Sequence, residues 1–477
     1  MRNYRGSITF QLKRVFALLI IGLLMIKCAD DSVTDDDSGK YGATPSEYIS
    51  FLDDNGINYY LDQFGNPYTQ GELLLRFDNG FDQAKLDQVK QELADINEIS
   101  PDSIVVKQCP CGTQDLVLLE FDEKLDEATL EPRSASMGDQ DGDDDGLSDE
   151  VNGDVTTSNN YYNVPLPQIL NAGGELPNGF GPPDISIGEA FAANGTDDKL
   201  RIAILDSGLD FDHPSLQNYH NFSIWKGPVD GCYKLGYDFV GETDIAIDNL
   251  GHGTQVAGVI LDALEPYDVP VAIMPLKISN WNGSVALFDM FCAMSYAVRN
   301  GADIVNISAG WYGAPNFIIS ELIEKNPDVL FVCSAGNEGL NTNSVENHHF
   351  PSGFSIFDNV ISIAALNEDY SDLADYSNFG DGNVTIAAPG TAITTITPCD
   401  GPLCQYPTVE VSGTSFAAPY TTAVAAAVIH CGNKDVEGIR QHLHNLGTPS
   451  GALIGKVTTG KYHDFDDLDE LDNCLAD

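Results

Sequence analysis

Apolar residues in this chain gather into separate runs, and their spacing changes from one part of the chain to the next. Val15 to Ile26 is a continuous apolar run, too short to span a bilayer comfortably. Gly71-Glu72-Leu73-Leu74-Leu75-Arg76-Phe77 predicts a strand, Asp82 to Ile96 an amphipathic helix, and Ser103 to Lys107 and Asp115 to Phe121 two more strands. Farther on, Leu200 to Leu205, Ala302 to Ile307 and Phe331 to Cys333 read as apolar strands of a parallel α/β sheet. Ala417 to Ile429 predicts a long Ala/Val helix and Val436 to Leu446 one more, before an acidic tail. The class is α/β, and 477 residues imply two or more units.

Three segments between these elements carry side chains of one chemistry. Asp206 follows the apolar run at Leu205, at the strand end where a parallel sheet presents groups to a crevice. His252 lies between Gly251 and Gly253, at a turn entering a tightly packed helix. Ser415 sits in the small-residue turn Gly413-Thr414-Ser415 that opens the Ala/Val helix, with Pro419 expected in its first turn. A serine hydroxyl needs a neutral imidazole to take its proton, and that imidazole needs a carboxylate to fix its tautomer. Asp, His, Ser is one of the few chain orders in which this set is assembled.

From about Pro182 to Ile429 the chain resembles the catalytic domain of the subtilisin-like serine proteases. The resemblance rests on Asp206-Ser207-Gly208-Leu209, Gly251-His252-Gly253-Thr254, Gly413-Thr414-Ser415 and Ser334-Ala335-Gly336-Asn337-Glu338-Gly339. It departs from the family at Gln255, where a second His usually stands. The resemblance implies a parallel-sheet, three-layer catalytic domain, with Asp206, His252 and Ser415 catalytic and Asn337 in the oxyanion hole. An Asn in a glycine-rich turn can donate to the oxyanion of a tetrahedral intermediate, alongside the Ser415 amide. By the same resemblance Ser308, Ala309 and Gly310 pair with substrate backbone, and Ser334, Ala335 and Gly336 wall the main specificity pocket. Small residues in that wall suggest room for a large side chain. Glu338 is open to two readings: a charge at the pocket rim, or an exposed turn residue.

The amino terminus reads as a signal, residues 1–28, with Arg2, Arg5, Lys13 and Arg14 ahead of the apolar run. It is similar to a bacterial lipoprotein signal with Cys28 lipidated, although Lys27 stands where a small residue is usual; plain secretion is the other reading. Residues 29–66 form an acidic tether and 67–130 a small α/β unit, whose element order is similar to the prosegments of the same protease family. Those act as intramolecular chaperones and inhibitors. Residues 131–165 are an acidic linker and 166–477 the peptidase domain. Within the linker, Asp141, Asp143, Asp145 and Asp149 with Gly146 have the spacing of a calcium loop, although Asn152 replaces its final Glu. A solvated acidic linker is the alternative.

A formal net charge of −49 argues against nucleic acid, whose phosphates require a basic surface. With Cys28 set aside, nine of ten cysteines remain, so at least one stays free. Cys292 and Cys333 are expected to be inert core thiols, Cys399 and Cys404 to close a loop, and Cys431 and Cys474 to tie down the C-terminal segment. The function expected is an exported serine endopeptidase on the cell envelope, acting on protein or peptide substrates, restrained by its own prosegment and held to the membrane only by lipid. Calcium is the one cofactor suggested, and the chemistry requires none. The alternative is a catalytically idle binding or adhesion protein with the same fold.

Overall fold

The computed structural model of the protein describes residues 60–61, 67–77, 80–110, 116–121, 155–163, 199–225, 235–280, 283–313, 315–398, 408–432, 435–464, 467–468 and 471. Its N-terminal unit consists of Pro67–Phe77 (β1), Gln83–Ile96 (α1), Ile104–Gln108 (β2), Leu116–Phe121 (β3) and Val155–Asn163 (β4). Asp82 starts α1, its Oδ1 accepting from the amides of Ala84 at 2.8 Å and Lys85 at 3.2 Å. Leu73, Leu75, Val117 and Leu119 meet Leu86, Val89 and Leu93 of α1. Leu74, Leu116 and Leu118 point the other way and join the core of the larger domain. Burial on both faces explains the unbroken apolar runs in β1 and β3.

β4 lies within residues 131–165, the span expected from sequence to be an acidic linker. Residues 155–163 form a strand, antiparallel to β1 on one side and to Val285–Ala286 of the larger domain on the other. Its polar sequence lacks a period-2 apolar pattern, and backbone pairing on both edges places it in the sheet.

The larger domain is built on Leu200–Asp206 (β5), His252–Leu264 (α2), Val271–Lys277 (β6), Leu287–Arg299 (α3), Ile304–Ile307 (β7), Phe317–Lys325 (α4), Leu330–Ser334 (β8), Val360–Leu366 (β9), Ile386–Pro389 (β10), Thr414–His430 (α5) and Val436–Leu446 (α6). The central sheet runs β10-β9-β8-β7-β5-β6, all parallel. Ile202 and Ile204 pack toward α2 and α5, while Ala203 and Leu205 pack toward α3 and α4. Three layers result. β5 lies between β6 and β7, so the chain reverses its direction of sheet growth there. A crevice opens at the carboxyl ends of strands at such a point.

Cys109 is bonded to Cys292, which corrects the expectation of an inert thiol on α3. Helical spacing made Cys292 a core residue, but the face of α3 that carries it covers the N-terminal unit. Arg76 of β1 also pairs with Glu321 of α4, its guanidinium 5.0 Å from the Phe317 ring centre. Cys333 is a buried free thiol, and burial pushes its pKa well up. Cys431 is in a disulfide, while Cys399, Cys404 and Cys474 lie outside the described residues. So do Cys28 and the loop residues Asp141, Asp143, Asp145 and Asp149. Among the described residues no cluster of three or more His, Cys, Asp or Glu side chains is placed to hold a metal. No described helix is long and apolar enough to cross a membrane.

Candidate active site

Asp206 ends β5 and His252 begins α2, two strand-and-helix ends that the sheet topology brings to the same crevice. His252 Nδ1 lies 2.8 Å from Asp206 Oδ1 and 3.0 Å from Oδ2, with both side chains essentially excluded from solvent. An ionised carboxylate can only accept, so in this contact Nδ1 is the donor. The Ser207 amide donates to Asp206 Oδ1 at 2.7 Å and helps anchor the carboxylate. A β-carbon on Gly253 would fall 2.2 Å from Gly208 O, so the two segments meet backbone to backbone and Gly253 admits no side chain.

Asp248 locks this junction. It is buried, and its carboxylate accepts from Ser207 Oγ at 2.8 Å, Gly251 N at 2.7 Å, Thr254 N at 2.9 Å and Thr254 Oγ1 at 2.7 Å. Ser207 Oγ in turn accepts from Gly253 N at 2.8 Å. The first amides of α2 thus find a charged acceptor, at the helix end where negative charge is favoured. Lys277 Nζ fixes the preceding loop through Ile247 O at 2.9 Å and Asn249 Oδ1 at 2.7 Å; burial lowers its pKa, opposed by Asp238 and Asp248.

Ser415 is the second residue of α5, entered through Gly413 at φ 154°, a conformation that favours glycine. Because α5 begins at Thr414, Pro419 falls beyond the first turn, contrary to expectation. Its missing N–H removes the helical partner of the Ser415 carbonyl. Ser308 Oγ takes that place, donating to Ser415 O at 3.0 Å. The Ser415 hydroxyl donates to Ser308 O at 3.2 Å. His252 Nε2 is buried with no hydrogen-bond partner among the described residues, and its ring centre lies 5.4 Å from that of Phe416. Transfer of the Ser415 proton therefore requires the hydroxyl to turn from Ser308 toward Nε2, a hydrogen bond that often tightens only with substrate in place.

Asn337 faces the same helix end. Its Oδ1 accepts from Thr414 N at 2.8 Å and Thr414 Oγ1 at 3.0 Å, while its Nδ2 is buried without a partner among the described residues. Ser308, Ala309 and Gly310 extend β7, and Ser334, Ala335 and Gly336 close β8 and turn; all six are buried. Gly336 N donates to Thr414 Oγ1 at 3.2 Å, so both strand ends are tied to the helix that carries Ser415. Glu338 is exposed, and its carboxylate accepts from the Tyr312 hydroxyl and from Asn337 N at 2.8 Å.

The sequence profile of the Subtilase family matches residues 197–446, more than half of the chain. The chain belongs to the subtilase family. It is 30% identical over 270 residues to a thermophilic serine proteinase of Bacillus sp. (strain AK1), covering 55% of this chain and 59% of that one. It is 26% identical over 288 residues to halolysin of Haloferax mediterranei, covering 59% of this chain and 51% of that one. This subtilase thus spans less than two-thirds of the length of either relative. Its fold is similar to fervidolysin from Fervidobacterium pennivorans, a keratinolytic enzyme related to subtilisin, with a TM-score of 0.56 at 20% identity over 84% of this chain and 61% of that one.

The structure brings Asp206, His252, Ser415, Asn337 and the two expected substrate segments of the subtilase chain to one crevice. Asp248, Ser207, Tyr312 and His349 were missed from sequence. Asp248 carried no local signal, since the N-cap position of α2 is occupied by Gly251.

Proposed function

We propose that this protein is an exported serine endopeptidase that hydrolyses peptide bonds through an acyl-enzyme intermediate. The observation that carries the reading is the buried Asp206–His252 contact, in one site with Ser415 and the unpartnered Asn337 amide. In the first half-reaction Ser415 Oγ bonds to the peptide carbonyl carbon while its proton passes to His252 Nε2. Asp206 stabilises the imidazolium, and the displaced electron pair, now on the carbonyl oxygen, faces Asn337 Nδ2 and the Ser415 N–H. Collapse breaks the C–N bond as His252 returns its proton to the leaving amine. Water, activated by the same imidazole, then hydrolyses the ester. Asp206, His252 and Ser415 are buried, so the fixed charges and donors of the site act at low dielectric.

Substrate lies as an added strand along Ser308–Gly310. The N-terminal unit, packed on α3 and α4, supports a prosegment role: it aids folding and restrains the site until the chain is cut. Lipid on Cys28 holds the enzyme to the cell envelope, and calcium binds the loop from Asp141 to Asp149. The idle-binding alternative gains nothing from a site this complete. Hydrolysis of denatured casein tests the proposal, since turnover by the cut protein should vanish in Ser415→Ala. Equal turnover by that variant would assign the activity to something else.

A further inference from the structure

Ser415 lies between the ends of β7 and β8, and the P1 side chain of a bound peptide must enter between these ends. Gly310 and Gly336 stand on the two sides, and on sequence alone the small residues Ser334 to Gly336 suggested room for a large side chain. The space is occupied. A β-carbon on Gly310 would fall 2.3 Å from His349 Cε1 and 2.4 Å from His349 Nε2. One on Gly336 would lie 3.2 Å from His349 Cδ2 and 2.6 Å from Tyr312 Oη. The glycines are small because an imidazole and a phenol already fill the gap between them.

Both side chains are held in place. His349 and Tyr312 are directly opposed in an antiparallel ladder, Trp311–Tyr312 against His349–Phe350, that follows the substrate segment without interruption. Their rings meet edge to face with centres 4.9 Å apart, and both residues are 4% exposed. Ser352 Oγ donates to His349 O at 3.1 Å, so it must accept from His349 Nδ1 at 2.8 Å. Tyr312 Oη accepts from Asn378 Nδ2 at 2.6 Å and donates to Glu338. Asn378 is itself pinned, donating to Ala335 O at 2.9 Å and accepting from Leu340 N at 2.9 Å. Turning either ring aside would break buried hydrogen bonds.

We propose that His349 and Tyr312 form the floor of the P1 subsite and restrict cleavage to sites after small residues such as Gly, Ala and Ser. Burial pushes His349 down to about 3, so the floor is neutral at working pH and offers no charge to an acidic or basic P1 group. This inference rests on the peptidase reading and adds the substrate class to it.

Peptide anilides that differ only at P1 test it, with the cut protein and Ser415→Ala as blank. Wild type should turn over P1 Ala with kcat/KM about 10- to 200-fold above P1 Phe, the range that pocket fit provides. His349→Gly should move the Phe-to-Ala ratio by a similar factor toward Phe. If that variant fails to fold, the wild-type cleavage sites in denatured casein, read by mass spectrometry, decide alone. Wild-type preference for P1 Phe or Leu overturns the proposal while leaving the peptidase reading intact. Absence of Ser415-dependent turnover across the whole series overturns both.

Discussion

Thr414 holds Asn337 by the oxygen of its amide, through the 2.8 Å bond from its backbone N–H, and so leaves the Asn337 nitrogen as a donor with no partner among the described residues. The anchor fixes which end of the amide faces the crevice. It also accounts for an otherwise costly feature, a buried N–H with nothing to bond.

Asn337→Leu should therefore lower kcat by roughly 100- to 1,000-fold with little change in KM, a magnitude taken from the corresponding donor of a subtilisin. Steady-state kinetics on a peptide anilide checks it. A loss carried mainly by KM would instead make Asn337 a substrate-binding residue.

Asp248→Asn should destabilise the fold and slow catalysis together. An Asn can still accept through one oxygen, but its NH₂ faces the Thr254 amide and hydroxyl, which now need an acceptor. Hydrogen bonds to a charged group are worth about 1.5–3 kcal/mol each, so a loss of about 2–4 kcal/mol is expected by urea unfolding. A fall in kcat at 25 °C, where the variant is still folded, should accompany it because His252 loses its fixed seat. An unchanged midpoint in urea would remove Asp248 from the positioning of His252.

A chain cut ahead of Val155 should stay in one piece until it is reduced. Cys109 lies on the N-terminal side of such a cut and Cys292 on the other, 183 residues away. One band on a non-reducing gel and two on a reducing gel is the expected result. Cys109→Ser should separate without reductant once the noncovalent contacts, including Arg76 with Glu321, are released in denaturant. Two bands from the cut wild-type chain without reductant would show that the tether is absent.

Stability should fall with acidification below about pH 6.5. Burial holds His349 at about 3, and burial together with Arg440, His463 and Lys461 holds His444 at about 4, against an ordinary 6.5. Between those values the unfolded chain binds protons that the folded chain refuses. The stabilising effect is therefore complete above about 6.5 and is lost progressively as pH drops toward about 4 for His444 and about 3 for His349. His349→Asn should flatten the dependence of Tm on pH between 7 and 4. An unaltered slope in that variant would mean that His349 does not resist protonation.

The residues proposed as catalytic stand out in the sequence because each sits in a local pattern: a strand end at Asp206, a glycine-flanked helix start at His252, a small-residue helix start at Ser415. Helices α1 and α6 were readable for the same reason. What escaped depends on contacts distant in sequence. Ser207 reaches Asp248 across 41 positions and Cys109 reaches Cys292 across 183, and neither partner carries a local mark. β4 escaped because polar residues can join a sheet through backbone pairing alone. His349 escaped because a histidine that fills a pocket and one that merely packs in a core leave the same trace in a sequence. The small residues Ser334 to Gly336 suggested open space, and only the fold reveals what fills that space.

Covalent labelling by a small fluorophosphonate, mapped by mass spectrometry on the protein cut ahead of Val155 with calcium present, tests the central claim most directly. A single adduct on the peptide containing Ser415, absent in Ser415→Ala and formed far more slowly in His252→Ala, is the predicted result. No adduct on wild type, or an adduct that survives in Ser415→Ala, would contradict the assignment of Ser415 as the nucleophile.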